Sequence, residues 1–191
     1  MANFKTPVGL SNKHIHLSQE DIDVLFGKGY QLKPFKDLSQ PGQYACEEKV
    51  DIQGPKGTLK GVRVLGPARK VTQIEVSLAD ARALGLNVPV RDSGDLDGSP
   101  GAKIIGPKGE VDLEQGVIVA ARHIHMHTSD AEKAGLKDKD EVSVEVGGKR
   151  GLVFNNVLIR VHDTYALEMH LDLDEGNAAQ IKNGDLLEIL K

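Results

Sequence analysis

The chain has 191 residues, 39% hydrophobic and 27% charged, with a formal net charge of −4. This is the balance of an ordinary soluble protein, not of a nucleic-acid binder, which would carry a basic stripe. A single cysteine, Cys46, excludes an intrachain disulfide framework and a Cys-rich zinc knuckle and fits a reducing compartment.

No run approaches the roughly 18 apolar residues of a membrane span, and no signal-peptide pattern opens the chain. The expected address is the cytoplasm, without a membrane or nucleic-acid partner. With 21 glycines and eight prolines scattered as punctuation and only 4% aromatics, a β-rich fold with an aliphatic core is expected.

In chain order, the first predicted helix is Ser18–Phe26, with Ser18 as N-cap, acidic Glu20 and Asp21 in its first turn, and a stop near Gly27. Strands are predicted at Val50–Gln53 and Gly61–Leu65, joined by the turn Gly54-Pro55-Lys56-Gly57. Another follows at Val71–Val76, then a helix over Ser77–Leu84 that stops at Gly85. Lys103–Ile105 and Gly116–Ala120 flank a second such turn, Gly106-Pro107-Lys108-Gly109. A third helix is expected over Ser129–Ala134, strands at Glu141–Val146 and Val157–His162, and a fourth helix over Glu175–Lys182. Between the last two, Leu167, Met169, Leu171 and Leu173 alternate with Glu168, His170, Asp172 and Asp174, so one strand lays a histidine and three carboxylates on one face.

An internal repeat organises these elements. Asn12-Lys13-His14-Ile15-His16-Leu17 is echoed by Ala121-Arg122-His123-Ile124-His125-Met126, and each copy leads into a short helix ending at glycine. Two related β units, each presenting one histidine pair, account for it. In a strand, residues i and i+2 face one side, so His14 and His16 project together, as do His123 and His125. Paired neutral imidazoles suit zinc better than a hard ion. Three histidines plus water form a catalytic zinc arrangement, and two histidines need another ligand such as a carboxylate. The histidine count points to two metals with open positions. His127 lies at the edge of a helix, where an exposed turn role is as good a reading as a ligand. His162 stays unassigned.

Several motifs in order, beyond the histidine pairs, resemble the phosphate propanoyltransferase family of bacterial microcompartments, the PduL-type phosphotransacylases. They are His14-Ile15-His16-Leu17, Gly66-Pro67-Ala68-Arg69 with Gln73-Ile74-Glu75, Pro89-Val90-Arg91-Asp92-Ser93-Gly94, Arg122-His123-Ile124-His125-Met126 and Glu168-Met169-His170-Leu171-Asp172 with Asp174-Glu175-Gly176-Asn177-Ala178-Ala179. The resemblance spans essentially the whole chain. It implies a mainly β protein of two small β-barrel domains with short capping α-helices, related by duplication. Residues 1–12 and 121–191 would form one barrel and residues 13–120 the other, with a two-zinc site between them.

On matching positions, the resemblance gives His14, His16 and Glu75 to one zinc and His123, His125 and His170 to the other. It gives phosphate and a catalytic role to Arg69, and a catalytic role also to His125. It gives coenzyme A to Leu10, Ser11, Asn12, Lys56, Arg63 and Asn177. Arg69 follows Gly66-Pro67-Ala68, read as a turn, and an arginine fork suits phosphate. Ser93 could assist phosphate, although a turn role is the simpler reading. Leu173 and Gly176 depart from the Thr and Ala expected there.

The implied reaction is acyl-CoA plus phosphate giving acyl phosphate plus coenzyme A, with a propanoyl or acetyl group. Cys46, in an acidic stretch, is expected to be incidental, since its thiol would stay protonated. A zinc-dependent acyl-CoA thioesterase and a non-catalytic zinc-binding microcompartment component are the alternatives. An amidohydrolase barrel is too long for this chain. Only 13 residues precede His14, and Met1–Thr6 shows no amphipathic helix, so a free cytosolic enzyme is expected. A homodimer is the family expectation.

Overall fold

The computed structural model describes residues 4–190; the first three residues of the Met1–Thr6 stretch and Lys191 lie outside the described residues. Strand β1 (Phe4–Ser11) is followed by β2 (His14–Ser18), helix α1 (Gln19–Phe26), β3 (Pro34–Asp37), β4 (Tyr44–Gln53), β5 (Thr58–Arg69) and β6 (Gln73–Glu75). Then come α2 (Leu78–Leu84), β7 (Val90–Arg91), β8 (Ala102–Ile105), β9 (Glu110–Leu113) and β10 (Val117–Ala120). The rest is β11 (His123–Met126), α3 (Thr128–Ala134), β12 (Glu141–Val146), β13 (Leu152–Val161), β14 (Glu168–Asp172), α4 (Leu173–Ala179) and β15 (Leu186–Leu190). The mainly β architecture with short helices agrees with the sequence reading. Among the described residues no helix is long and apolar enough to cross a membrane.

The chain forms two compact units. One comprises the N-terminal stretch through Ser11, Ser39–Pro41 and the chain from Ala121 onward; the other comprises Asn12–Leu38 and Gly42–Ala120. In the first, six strands close a barrel in the order β1-β14-β11-β13-β12-β15. Strand β1 shuts it, running parallel to β14 and antiparallel to β15. Val8, Ile124, Met126, Val144, Val157, Ile159 and Met169 fill the interior at 2% exposure or less. Closure leaves no unpaired strand edge.

The second unit is a curled nine-stranded sheet in the order β7-β10-β6-β2-β5-β4-β8-β9, with β3 pairing to β4. Its core of Ile15, Leu17, Ile22, Leu25, Ile52, Val64, Ile74, Leu84 and Ile104 is fully buried. Two turns brace its helices. Gly54 N–H donates to the Gly57 carbonyl and Lys56 N–H to that of Leu84, at the end of α2. Gly106 and Lys108 repeat the pattern with Gly109 and with Leu25, at the end of α1. These backbone donors satisfy carbonyls that a helix C-terminus leaves open.

The two units share a strand plan. Strand β2 lies between parallel β5 and antiparallel β6, and β11 lies between parallel β13 and antiparallel β14. Ile15 and Ile124, the central residues of the two His-x-His motifs, are both fully buried.

Three local expectations need correction. Gly66-Pro67-Ala68-Arg69 is not a turn: β5 runs through it to Arg69, which pairs with Ser18. The strand read through Asp174 ends at Asp172, because Asp172 and Glu175 form a reciprocal capping box that starts α4 two residues before the expected Glu175. That helix also stops at Ala179, with Gln180 left-handed as its C-cap, short of the expected Lys182. Strands β3, β7, β9 and β15 were not anticipated. Strand β3 is exposed throughout, β7 has two residues, and none shows a long apolar run.

Candidate metal centres

Each unit brings together one trio of side chains that could hold a metal ion. His14, His16 and Glu75 offer ligand atoms within 4.8 Å of one another, and so do His123, His125 and His170. Strand register builds both trios. His14 is the direct antiparallel partner of Glu75, and His123 of His170. Period-two geometry then sets the second histidine on the same face.

The histidine tautomers are largely fixed by the backbone. His14 Nδ1 donates to the Asn12 carbonyl and His123 Nδ1 to the Ala121 carbonyl, each at 2.8 Å. This turns Nε2 of both toward their trios, as when a metal-bound histidine donates its other ring N–H to a backbone carbonyl. In the first trio His14 Nε2 lies 3.4 Å from Glu75 Oε2. In the second His125 Nδ1 lies 3.2 Å from His170 Nε2, and the rings of His123 and His170 stack at 5.0 Å. Two ligand atoms each bound at zinc distance in a tetrahedral site stand about 3.3 Å apart, and the His14–Glu75 spacing fits this. His16 Nδ1 is buried without a well-formed hydrogen bond among the described residues, the Leu65 backbone giving only a minor pull. The donor sets suit zinc or a similar transition ion.

Electrostatics keep key nitrogens free of protons. Burial, with the charges of His14 and Arg69, pushes His16 down to about 3. Burial, with His123, His170 and Arg160, pushes His125 down to about 2. His14 behaves differently: burial pulls it down, but the Glu75 carboxylate and the Asn12 carbonyl outweigh burial and raise it. For Glu75, burial is outweighed by His14, His16 and Arg69, which hold the carboxyl well below its usual range.

Sequence reasoning missed the groups that hold Glu75. Gln73 is 2% exposed. Its Oε1 accepts from Gly94 N–H at 2.9 Å, so its Nε2 donates to Glu75 Oε1 and, at 2.9 Å, to Ser93 Oγ. Ser93 Oγ donates to the same Glu75 oxygen at 3.2 Å. Glu75 Oε2 is thereby turned toward His14. Ser93 thus has a partner more specific than a turn role. The available signal was the i, i+2 relation of Gln73 to Glu75 in one strand.

A profile of the family described as phosphate propanoyltransferase matches residues 7–182. A phosphate propanoyltransferase of Thermotoga maritima is 59% identical over 185 residues, covering 96% of this chain and 88% of the relative. One from Rhodopseudomonas palustris is 56% identical over 98% of this chain and 83% of the relative, and one from Clostridioides difficile is 52% identical over 96% and 88%. The chain belongs to the phosphate propanoyltransferase family.

Among the remaining residues matched to that phosphate propanoyltransferase pattern, Arg69 ends β5, and its positive charge is felt at His14, His16 and Glu75. Arg63 is the ladder partner of His14, and its guanidinium donates to the Cys46 carbonyl at 2.7 Å and covers the Phe35 ring. Lys56 is an exposed turn residue. Asn12 holds His14 through its carbonyl. Leu10 and Ser11 end β1, and Asn177 lies in α4. Leu10, Ser11 and Asn177 fall in the barrel unit, and Asn12, Lys56 and Arg63 in the other. A Cβ on Gly176 would meet Leu10 Cδ2 at 2.5 Å, so glycine here leaves the Leu10 side chain its present place.

Neither remaining histidine joins a trio. His127 caps α3, its Nδ1 accepting from Ser129 N–H. His162 is exposed and lies 3.0 Å from Asp163. Cys46 is fully buried, and burial with the nearby Glu48 pushes its thiol up to about 12. Tyr165, unremarked in the sequence, packs its ring 4.3 Å from that of His125.

Proposed function

We propose that the protein transfers a short acyl group, propanoyl or acetyl, between coenzyme A and phosphate, using zinc held by the two trios. The observation that carries this reading is the pair of matching ligand trios on a chain of this family. A phosphate oxygen attacks the thioester carbonyl carbon, a C–O bond forms, the C–S bond breaks, and coenzyme A leaves as a thiolate that then takes up a proton. Zinc, when bound by His14, His16 and Glu75 and by His123, His125 and His170, supplies Lewis acidity toward oxygen and affinity for thiolate.

The chain's own groups supply the rest. His16 and His125, held neutral at physiological pH, need lose no proton to ligate. The carbonyls of Asn12 and Ala121 keep Nε2 of His14 and His123 aimed inward. Arg69 sets a permanent positive charge beside the first trio, where it attracts a phosphate dianion and offers it a two-pronged donor. His125 serves through ligation rather than as a base, since its proton affinity is so low. Leu10, Ser11, Asn12, Lys56, Arg63 and Asn177 would contact coenzyme A. The reading extends to a homodimer free in the cytoplasm, with residence in a microcompartment as the alternative, both resting on the family.

The test is an assay of purified protein with propanoyl-CoA or acetyl-CoA, with and without phosphate, following free thiol and acyl phosphate alongside metal content. Phosphate-dependent acyl phosphate formation with two zincs per chain, lost on chelation, is expected. Thiol release independent of phosphate would mark a thioesterase. Bound zinc with neither reaction would leave a metal-binding component and overturn the enzyme reading.

A further inference from the structure

Glu168 stands beside the second trio. It is the antiparallel partner of His125 and lies two residues before His170 on β14. Its carboxylate Oε2 lies 3.0 Å from His170 Nε2. The side chain is 14% exposed, and burial, which would raise its pKa, is outweighed by hydrogen bonds from His170 and Ser39, which lower it.

The surroundings are shaped to this carboxylate. Ser39 Oγ donates to the same Oε2 in a short hydrogen bond. Ser39 is held in turn by its neighbour Gln40, 4% exposed, which pairs with the Ala166 backbone in both directions at 3.0 and 3.2 Å. On the other side, Gly9 is the ladder partner of His170. A Cβ there would meet the Glu168 carboxyl carbon and Oε2 at 2.7 Å. Only a residue without a side chain leaves room for the carboxylate in this place.

The first unit of the repeat explains the second. Gln73 is the antiparallel partner of His16 and lies two residues before Glu75, the position that Glu168 holds relative to His125 and His170. Where the third ligand is a carboxylate, the residue two before it is an amide donor; where the third ligand is an imidazole, it is a carboxylate acceptor. Each site thus holds one carboxylate, as ligand in one and beside the ligand in the other. The contact makes His170 Nε2 the donor and leaves the lone pair on Nδ1 to ligate; a carboxylate on the other ring nitrogen of a ligating histidine fixes its ring and raises its basicity.

We infer that Glu168 is the positioning residue of the His123–His125–His170 site, aligning His170 and supplying the negative charge that Glu75 brings to the other site. This rests on the trio being a metal site. The test is zinc affinity of the whole protein, read by competition with a chromogenic chelator, for wild type, Glu168→Gln, Glu168→Asp and Ser39→Ala. His125→Ala serves to mark which of the two zincs is affected.

Wild type should bind two zincs. Glu168→Gln should weaken by about 10–100-fold the one zinc that His125→Ala removes. The other zinc and the thermal midpoint of the chelator-treated protein should not change. Glu168→Asp should recover part of the loss, and Ser39→Ala should show a smaller loss at the same zinc. Should Glu168→Gln not fold, Ser39→Ala decides: unchanged affinity overturns the proposal. It is also overturned if Glu168→Gln binds two zincs as tightly as wild type or more tightly, since the carboxylate would then merely compete with the ion for His170. A wild-type protein with no zinc at this trio would overturn the metal reading itself.

Discussion

Glu75 sits directly across the β2–β6 ladder from His14, with its Oε2 3.4 Å from the imidazole Nε2. The same antiparallel register sets His170 across from His123 in the barrel. A ladder holds such partners a fixed 4.5–5.5 Å apart at Cα, so the first and third members of each trio are positioned by backbone hydrogen bonds. The side chains need only choose a rotamer.

Replacing Gln73 with Met keeps the volume but removes the donor to Glu75. Zinc affinity at the His14 trio should fall by about 10–100-fold, with the His123 trio unaffected. Chelator competition on the variant checks this, and equal weakening of both sites would contradict it.

The metal-free protein should lose stability as pH falls. His16 and His125 have ordinary values of 6.5 and lie near 3 and 2 in the folded chain. Between about pH 6.5 and those values the unfolded chain takes up protons that the folded chain refuses, so stability declines through that window. Glu75, depressed below 4.5, adds a loss only at the acid end. His14, raised above 6.5, works in the opposite sense: its contribution is full below 6.5 and is lost as pH rises through its folded value. Thermal midpoints of chelator-treated protein from pH 7 to 4 should fall, and His125→Asn should flatten the slope.

Gly106→Ala should destabilise the second unit. A Cβ at this position would stand 2.7 Å from the Leu25 carbonyl oxygen, and one at Gly54 would meet that of Leu84. Forcing the turns away from the helix ends should cost about 1–3 kcal/mol, measured by denaturant unfolding. Metal content of the folded fraction should be unchanged.

Cys46→Ala should leave acyl transfer intact. The thiol is buried and pushed up to about 12, so the nucleophilic thiolate is scarce. A stability loss of about 1 kcal/mol from the lost packing is expected. Loss of activity comparable to that of a histidine variant would overturn the assignment.

The sequence by itself determined the local chemistry. Two His-x-His motifs of period two place paired imidazoles on one strand face, and Ser18 caps the helix it was expected to cap. These features depend only on neighbours a few residues apart. The mainly β character was legible for the same reason, in short apolar runs broken by Gly and Pro. Tertiary structure decided what depends on register between distant strands. It brought Glu75 opposite His14 and His170 opposite His123, gave Glu75 the Gln73 and Ser93 donors, and set Glu168 against Ser39 and the bare backbone of Gly9. It also closed one set of strands into a barrel while the other remained a curled sheet with edges. No period within one strand specifies its partner, because a ladder is built from backbone groups that every sequence shares.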